Sequence, residues 1–201
     1  LSNLSCRPMQ VVVIENAPKN NLTNLVAEKF ANVCYNQEPK PGLSFARNTG
    51  IRNATYPIIA FVDDDVQVHP LWIYRIWESF KETNISAMTG LVIASKLDTE
   101  AQHIFEKHWS FNRGYEDKFY DFDFFQKTLK KGPPVWEIGA GANMAFRKNI
   151  FDELGFFDEL LGAGVSGCSE DSEMWFRILA HKHTIHYNPR AIVYHEHRTK
   201  M

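Results

Sequence analysis

The chain has 201 residues, of which 44% are apolar, and this is the length and apolar content of one domain with a substantial core. The 22 Lys and Arg residues are balanced by 24 Asp and Glu residues, so no basic field for a nucleic-acid partner is expected. The three cysteines are far apart and form no CxxC pair, which argues against a disulfide framework and against a zinc site.

The first half of the sequence predicts strands that alternate with helices. Val11–Ile14 is β-branched and predicts a buried strand, and apolar residues at helical spacing follow between Leu22 and Phe30. The next predicted elements are an extended segment at Val33–Tyr35, a helix over Leu43–Ile51 with Ser44 as its N-cap, a strand over Pro57–Val62, a helix opened by Pro70 and a strand over Ile85–Ala94. This alternation predicts a mainly parallel sheet covered by helices on both faces.

The second half of the sequence is less regular. It begins with a predicted helix over Ala101–Trp109, an aromatic loop over Tyr115–Phe125, a strand from Val135 and a turn of small residues over Gly139–Asn143. A Gly-rich stretch at Gly162–Cys168 then leads into a predicted helix over Ser169–Leu179. The last predicted elements are extended segments at Thr184–Tyr187 and Ala191–His197. No internal repeat or linker is evident, so residues 1–201 are expected to form a single domain.

Three consecutive carboxylates, Asp63, Asp64 and Asp65, end the apolar strand at Pro57–Val62. Ligands of parallel sheets bind beyond the carboxyl ends of the strands, so these acids lie where a site is expected. Because adjacent carboxylates repel one another, a divalent cation such as Mg²⁺, Mn²⁺ or Ca²⁺ is the simplest compensation. The alternative is a solvated acidic turn before the helix that follows Pro70.

Two further groups of polar residues are candidates for a site. Glu170 and Asp171 stand at a predicted helix start, where the macrodipole favours acids, but a carboxylate there could also accept a proton from a substrate hydroxyl. His195 and His197 lie two positions apart on a predicted strand and therefore point the same way. They could join a metal site or simply occupy a partly polar surface.

Six segments in this order, VVVIENAP, GLSFARNTGI, IIAFVDDD, WEIGAGANMAFR, SEDSEMWFRIL and VYHEHR, resemble the family 2 inverting glycosyltransferases. The resemblance covers nearly all of residues 9–198. It implies an α/β three-layer sandwich with a mainly parallel, mixed central sheet, the A-type nucleotide-diphospho-sugar transferase fold. The family's first strand is expected to be missing, since residues 1–8 resemble only the tail of the helix that follows it. The donor-binding half is expected at about residues 1–95 and the acceptor-binding half at about residues 96–201.

The resemblance also implies roles for individual residues. Asp63, Asp65 and His195 match positions that hold Mn²⁺ or Mg²⁺. Asp171 matches the catalytic base, and Glu170 beside it would support the site or the acceptor. The positions that match donor-binding residues are Glu15, which would meet the nucleotide base, and Arg47, Asn48, Asp63, Asp64, Gly141, Ala142 and Asn143.

The expected activity is therefore transfer of a sugar, with inversion, from a nucleotide-diphospho-sugar donor to the hydroxyl of a saccharide, lipid-linked or other acceptor. The aromatic stretch Tyr115–Phe125 is the expected acceptor loop. A sugar nucleotidyltransferase and a binding domain without turnover stay open as alternatives, whereas a phosphatase is disfavoured because Val66 follows the acids in place of Thr. No apolar run approaches the ~20 residues that span a bilayer. A soluble domain is expected, in the cytoplasm or peripheral at the inner face of a membrane.

Overall fold

A computed structural model describes residues 5–199. The strands are β1 (Val11–Asn16), β2 (Val33–Glu38), β3 (Ile58–Val62), β4 (Val66–Val68), β5 (Ile85–Ala94), β6 (Lys118–Tyr120), β7 (Asn143–Arg147) and β8 (Thr184–His195). The helices are α1 (Leu22–Ala27), α2 (Leu43–Asn53), α3 (Trp72–Ser79), α4 (Glu100–Trp109), α5 (Phe122–Thr128), α6 (Asn149–Leu154) and α7 (Glu170–Ala180), with 3₁₀ turns at Leu129–Lys131 and Val135–Glu137. Within residues 5–199, no helix combines the length and the apolar character needed to cross a membrane.

The chain divides into two compact units, each assembled from separate segments. The large unit holds residues 60–146 and the segment that begins at residue 175, and the small unit holds residues 8–59 and 147–174. The division into donor-binding and acceptor-binding halves concerns function and stays a prediction.

The larger of the two sheets has the strand order β3-β7-β5-β8-β4, and β6 also pairs with β8. The long β5 and β8 run parallel, whereas β7 is antiparallel to β5 and both β4 and β6 are antiparallel to β8. The second sheet consists of β1 and β2, which are parallel. The predicted α/β class and mixed central sheet are thus confirmed. Among the strand pairs whose register is described, only β1–β2 and β5–β8 are parallel.

Strands β5, β7 and β8 form the core of the large unit, and the burial of nearly every position of β5 and β7 is typical of strands covered on both faces. The ring of Phe146 on β7 stacks on Trp175 of α7, with ring centroids 5.2 Å apart. Other side chains without measurable exposure are Met88, Met144, Ile178, Ile185, Tyr187 and Val193. In the small unit, Ile51, Ile150, Phe151 and Phe157 are buried, and the rings of Phe151 and Phe157 lie 5.9 Å apart between centroids.

A buried amide links the central strands of the large unit. Asn143 accepts a hydrogen bond from Trp72 Nε1 (2.9 Å) and donates to the carbonyls of Leu91 (3.1 Å) and Ala191 (2.8 Å). A Cβ on the neighbouring Gly90 would lie 2.1 Å from the Ala191 oxygen, so glycine is required for this close approach. The three hydrogen bonds use the whole amide group of Asn143 to hold α3, β5 and β8 together.

The predicted loop over Tyr115–Phe125 is wrong, because β6 and the start of α5 lie within it. Contacts with distant residues hold this short strand: Phe119 stacks on His186 at 4.4 Å, and Asp117 pairs with both His186 (2.8 Å) and Arg190 (2.6 Å). Burial lowers the pKa of His186, although its hydrogen bond with Asp117 acts in the opposite direction. A strand of three residues has no visible period, so the local sequence gives no signal for it.

Two other local predictions are wrong, and two boundaries shift. The segment from Val135 forms a 3₁₀ turn and not a strand, because Pro133 and Pro134 precede it and the Glu137 N–H donates to the Pro134 carbonyl (3.0 Å). The strand of this region is β7, which begins at Asn143. Gly42, not Ser44, is the N-cap of α2. Helix α3 begins two residues after Pro70, and the two extended segments at the end of the sequence form one strand, β8.

We predict that Asn143→Ala destabilises the protein by about 2–3 kcal/mol, because Trp72 Nε1 and two carbonyls lose their buried partner. Urea denaturation followed by circular dichroism measures this loss. Asn53→Ala is the matched control, since that exposed amide makes one hydrogen bond, to Thr49 within the same helix (2.8 Å). Equal losses in the two variants would contradict the structural role of Asn143.

Candidate functional site

The structure brings together Asp63, Asp65 and His195 in the large unit. One oxygen of each carboxylate and one ring nitrogen of His195 lie within 4.8 Å of one another. His195 Nε2 is 3.4 Å from Asp65 Oδ1. These are the three residues that the resemblance matched to metal ligands.

Backbone pairing explains why these side chains meet. The two acids lie in the turn between β3 and β4, and β4 pairs with the end of β8 so that Val66 stands opposite His195. The Glu196 N–H donates to the Asp65 carbonyl (3.0 Å), and the Ser95 N–H donates to the His195 carbonyl (2.9 Å). The acidic turn is therefore fixed to the strand that carries the histidine.

The chemistry of these donor atoms fits a divalent cation. Carboxylate oxygens suit Mg²⁺, Ca²⁺ and Mn²⁺, whereas imidazole nitrogen suits the transition metals. A set of two carboxylates and one imidazole therefore favours Mn²⁺ over Mg²⁺, which prefers oxygen ligands alone.

A polar cavity of about 300 Å³ adjoins the acids. Its lining includes Asp64, Asp65, Ser95, Lys96, Tyr194 and Glu196. Lys96 Nζ lies 2.9 Å from Glu196 Oε1, and this hydrogen-bonded pair raises the pKa of Lys96. The volume is at the lower end of the range of small-molecule sites, so part of a ligand can occupy the cavity.

A buried ion pair stands at the start of α7 in the small unit. Arg47 Nη1 donates to Glu170 Oε1 at 2.6 Å, and the two side chains are only 6% and 8% exposed. The Arg47 guanidinium also lies 5.5 Å from the centre of the Phe157 ring. Glu170 is thus held inside the small unit, beside the Gly-rich segment: a Cβ on Gly162 would approach its carboxylate oxygen to 3.1 Å.

Asp171 occupies the first turn of α7 and is half-buried. Its Oδ1 accepts a hydrogen bond from the Ser172 N–H (2.7 Å). Ser169, just before the helix, has a φ of 80°, a left-handed conformation that costs a non-glycine residue about 1–2 kcal/mol. Such conformations concentrate at functional sites, because the surrounding structure must hold them in place.

The remaining predicted donor-binding residues have varied environments. Glu15 on β1 accepts a hydrogen bond from the Tyr35 hydroxyl, and this bond raises the pKa of Tyr35. Asn48 is buried, and its amide makes hydrogen bonds with both the N–H (3.0 Å) and the carbonyl (2.9 Å) of Phe157. Gly141 and Ala142 are buried beside Asn143, whose amide lies in the core. The amides of Asn48 and Asn143 thus have structural hydrogen bonds, and the donor contacts that the resemblance implies for these residues stay a prediction.

Three residues near the large-unit site were not among the predicted site residues. One is His197, which stands at the strand spacing from His195 but was not included in the predicted metal ligands. Lys96 and Glu106 were missed entirely, since neither stands in a recognisable local pattern. Their importance depends on neighbours that are distant in the sequence, Glu196 and His197.

Comparison with known proteins supplies the family. Residues 1–155 match the model of "Glycosyl transferase family 2". The succinoglycan biosynthesis protein ExoM of Rhizobium meliloti is 31% identical over 195 residues, which are 92% of this chain and 56% of that protein. The hyaluronan synthase of Pasteurella multocida is 24% identical over 76% of this chain and 18% of the synthase. A pre-mycofactocin glycosyltransferase of Mycobacterium tuberculosis is 23% identical over 98% of this chain and 39% of the enzyme.

The chain therefore spans little more than half of the first of these relatives and less of the other two. A crystal structure of GalNAc-T7 with UDP, GalNAc and Mn²⁺ aligns with a TM-score of 0.64 and 17% identity, over 96% of this chain and 38% of that one. This similarity confirms the expected A-type fold. With a family match over most of its residues and a relative that is 31% identical, the chain belongs to glycosyl transferase family 2.

Proposed function

We propose that this chain transfers a sugar, with inversion, from a nucleotide-diphospho-sugar donor to an acceptor hydroxyl, with the help of a divalent cation. The observation that carries the proposal is the group formed by Asp63, Asp65 and His195 beside a polar cavity. A cation bound there would supply positive charge opposite the diphosphate of the donor. The chain's own side chains would hold the ion, and Asp64 and Lys96 would line the donor's path.

A growing saccharide chain is the acceptor class that we favour. The relatives named above include a hyaluronan synthase and a succinoglycan biosynthesis protein, whose names refer to polysaccharides. Tyr115 and Phe119 are strongly exposed in the predicted acceptor segment, and exposed aromatic rings can pack against the apolar faces of sugars.

Asp171 is the proposed general base. Its carboxylate accepts the proton of the acceptor hydroxyl while that oxygen forms a bond with the anomeric carbon. The bond from the anomeric carbon to the diphosphate oxygen breaks on the opposite face, so the nucleoside diphosphate leaves and the configuration inverts. This role is supported by the half-exposed position of Asp171 at a helix start, next to a residue with positive φ.

Glu170 is proposed to position this base, not to react. Its carboxylate is buried and paired with Arg47, so it fixes the first turn of α7, to which Asp171 belongs. The side chain of Glu170 is 8% exposed, so its carboxylate is directed at Arg47 and not at an acceptor hydroxyl in solvent.

A donor screen tests the proposal as a whole. The chain is incubated with Mn²⁺ and a set of UDP-, GDP- and CMP-activated sugars together with oligosaccharide acceptors, and nucleotide release and product anomer are followed by chromatography and NMR. Transfer with inverted configuration supports the proposal. Binding without transfer would indicate the non-catalytic alternative, and pyrophosphate release from a nucleoside triphosphate and a sugar phosphate would indicate a nucleotidyltransferase.

We predict that Asp65→Asn lowers turnover at least about 100-fold and weakens Mn²⁺ binding, because the candidate site loses a charged ligand. Isothermal calorimetry with Mn²⁺ and an assay with added EDTA measure the two effects. Asp123→Asn, an exposed acid at the start of α5, is the control and is expected to match the unmodified protein. Full activity of Asp65→Asn without added metal would contradict the assignment of Asp65 as a metal ligand.

Asp171→Asn is expected to lower kcat by about 10² to 10⁴ with little change in donor affinity, because the amide cannot accept the acceptor's proton. Single-turnover assays and donor titrations separate the two quantities. The control is Asp152→Asn, an exposed acid of α6 in the small unit. Retention of kcat within a factor of about three would rule out Asp171 as the general base.

Glu170→Gln is expected to destabilise the protein by about 3–5 kcal/mol, because it removes the negative charge that faces the buried Arg47 guanidinium at 2.6 Å. Chemical denaturation measures the change. The matched control is the exposed ion pair of Lys96 and Glu196, whose side chains are about half exposed. Glu196→Gln should lower the free energy of unfolding by at most about 1 kcal/mol. Similar losses in both variants would show that the Arg47–Glu170 pair does not have the stabilising role assigned to it.

A further inference from the structure

His195 is the first member of a chain of hydrogen bonds that leads away from the candidate metal site. Its Nδ1 lies 3.0 Å from Nδ1 of His197, and His197 Nε2 lies 3.0 Å from Glu106 Oε2 on α4. Ser110 donates in turn to the other oxygen of Glu106 at 2.7 Å. The His197 side chain is 3% exposed, so the middle of this chain of contacts is shielded from water.

The carboxylate at the far end sets the direction of the hydrogen bond with His197 and, for a neutral His197 ring, of the bond between the two rings as well. A carboxylate only accepts hydrogen bonds, so the proton between Glu106 and His197 belongs to His197 Nε2. In a neutral His197 ring, Nδ1 is then an acceptor, and the proton between the two rings belongs to His195 Nδ1. His195 is left with the lone pair on Nε2, the atom that faces Asp65 at 3.4 Å.

With the hydrogen bonds in this direction, the candidate site presents two acceptor atoms to a cation. The Nε2 lone pair and the Asp65 carboxylate are both acceptors, and at 3.4 Å they cannot hydrogen-bond with each other. A cation held by His195 and Asp65 would satisfy both acceptors. A metal ligand histidine commonly donates its other ring N–H to a carboxylate or a carbonyl, and here a second histidine connects the ligand with the carboxylate.

We propose that His197 and Glu106 are positioning residues that fix the tautomer and the ring orientation of His195 for metal binding. This inference rests on the proposed function, since it assumes the metal role of His195. Neither residue touches the ion in this scheme. They act by keeping the Nε2 lone pair of His195 directed at the cation.

Packing around the two rings supports the positioning role. The His197 ring lies 4.6 Å from the Phe105 ring, and the His195 ring lies 5.6 Å from the Phe111 ring, measured between centroids. Gln102 Nε2 donates to the His197 carbonyl at 2.9 Å, which ties α4 to the backbone at this point. The packing therefore restricts the orientation of the two imidazole rings, and the hydrogen bonds set their tautomers.

The test breaks the chain of hydrogen bonds at two points away from the metal. Glu106→Leu removes the terminal acceptor, and the 27% exposure of this side chain makes the substitution tolerable for folding. His197→Phe keeps an aromatic ring against Phe105 but removes the acceptor for His195. Glu106→Gln is the conservative variant, since its amide oxygen can still accept from His197. Glu100→Leu, an exposed acid on the same helix, is the matched control.

Two measurements on the metal centre give the readout. Calorimetry with Mn²⁺, alone and with UDP, gives the dissociation constant of the ion, and pulsed electron paramagnetic resonance of bound Mn²⁺ detects a directly coordinated ¹⁴N nucleus. We expect Glu106→Leu and His197→Phe to weaken Mn²⁺ binding by about 10- to 100-fold and to lose most of the ¹⁴N signal. Glu106→Gln is expected to recover most of both, and Glu100→Leu to equal the unmodified protein.

Each outcome separates this inference from the proposed function. Unchanged Mn²⁺ affinity and an intact ¹⁴N signal in Glu106→Leu and His197→Phe would overturn the positioning role while leaving the metal site itself in place. Failure of the unmodified protein to bind Mn²⁺ through nitrogen would instead overturn the metal assignment on which the inference rests. If one of the two variants does not fold, as judged by circular dichroism, the other decides the question.

Discussion

The parallel pairing of β5 with β8, from Ile85 opposite Thr184 to Ala94 opposite His195, is the constraint on which the large unit depends. The second half of β8 then pairs with β4, and this pairing places the acids of the preceding turn next to His195. The first half of β8 pairs with β6 and so holds the aromatic segment. One strand therefore organises both the candidate metal site and the segment proposed to meet the acceptor.

A second constraint is that several residues of the family-like motifs hold the scaffold together. The buried amides of Asn48 and Asn143 make hydrogen bonds with buried groups of the protein, and Asn48 also donates to the Glu159 carboxylate at 3.3 Å. Arg47 and Glu170 neutralise each other inside the small unit. Residues of a family-like motif can thus support the backbone near a site without binding the ligand. The residue type alone does not show which of the two roles a motif residue has.

Much of the fold was predictable from the sequence because its signals are local. The β-branched runs at Val11–Ile14 and Ile85–Ala94 coincide with strands, and the acids after β3 pointed to the candidate site. The errors lie where distant contacts decide the conformation, as at Lys118–Tyr120, which is held by pairing with β8, and at Val135, where prolines favour a turn. Glu106 had no local signal at all, since its significance comes from His197, 91 positions away.

The backbone hydrogen bonds at Asp65 and Ser95 make the loop of the candidate metal site an extension of the sheet ladder. Ligands held in this way need little rearrangement when an ion arrives, so the entropy of ordering the loop is spent during folding and not during binding. A pre-organised shell of this kind can release its ion without unfolding, unlike small domains that fold only around a metal. In the proposed reaction, exchange of the cation would then be limited by dehydration of the ion and not by reordering of this loop.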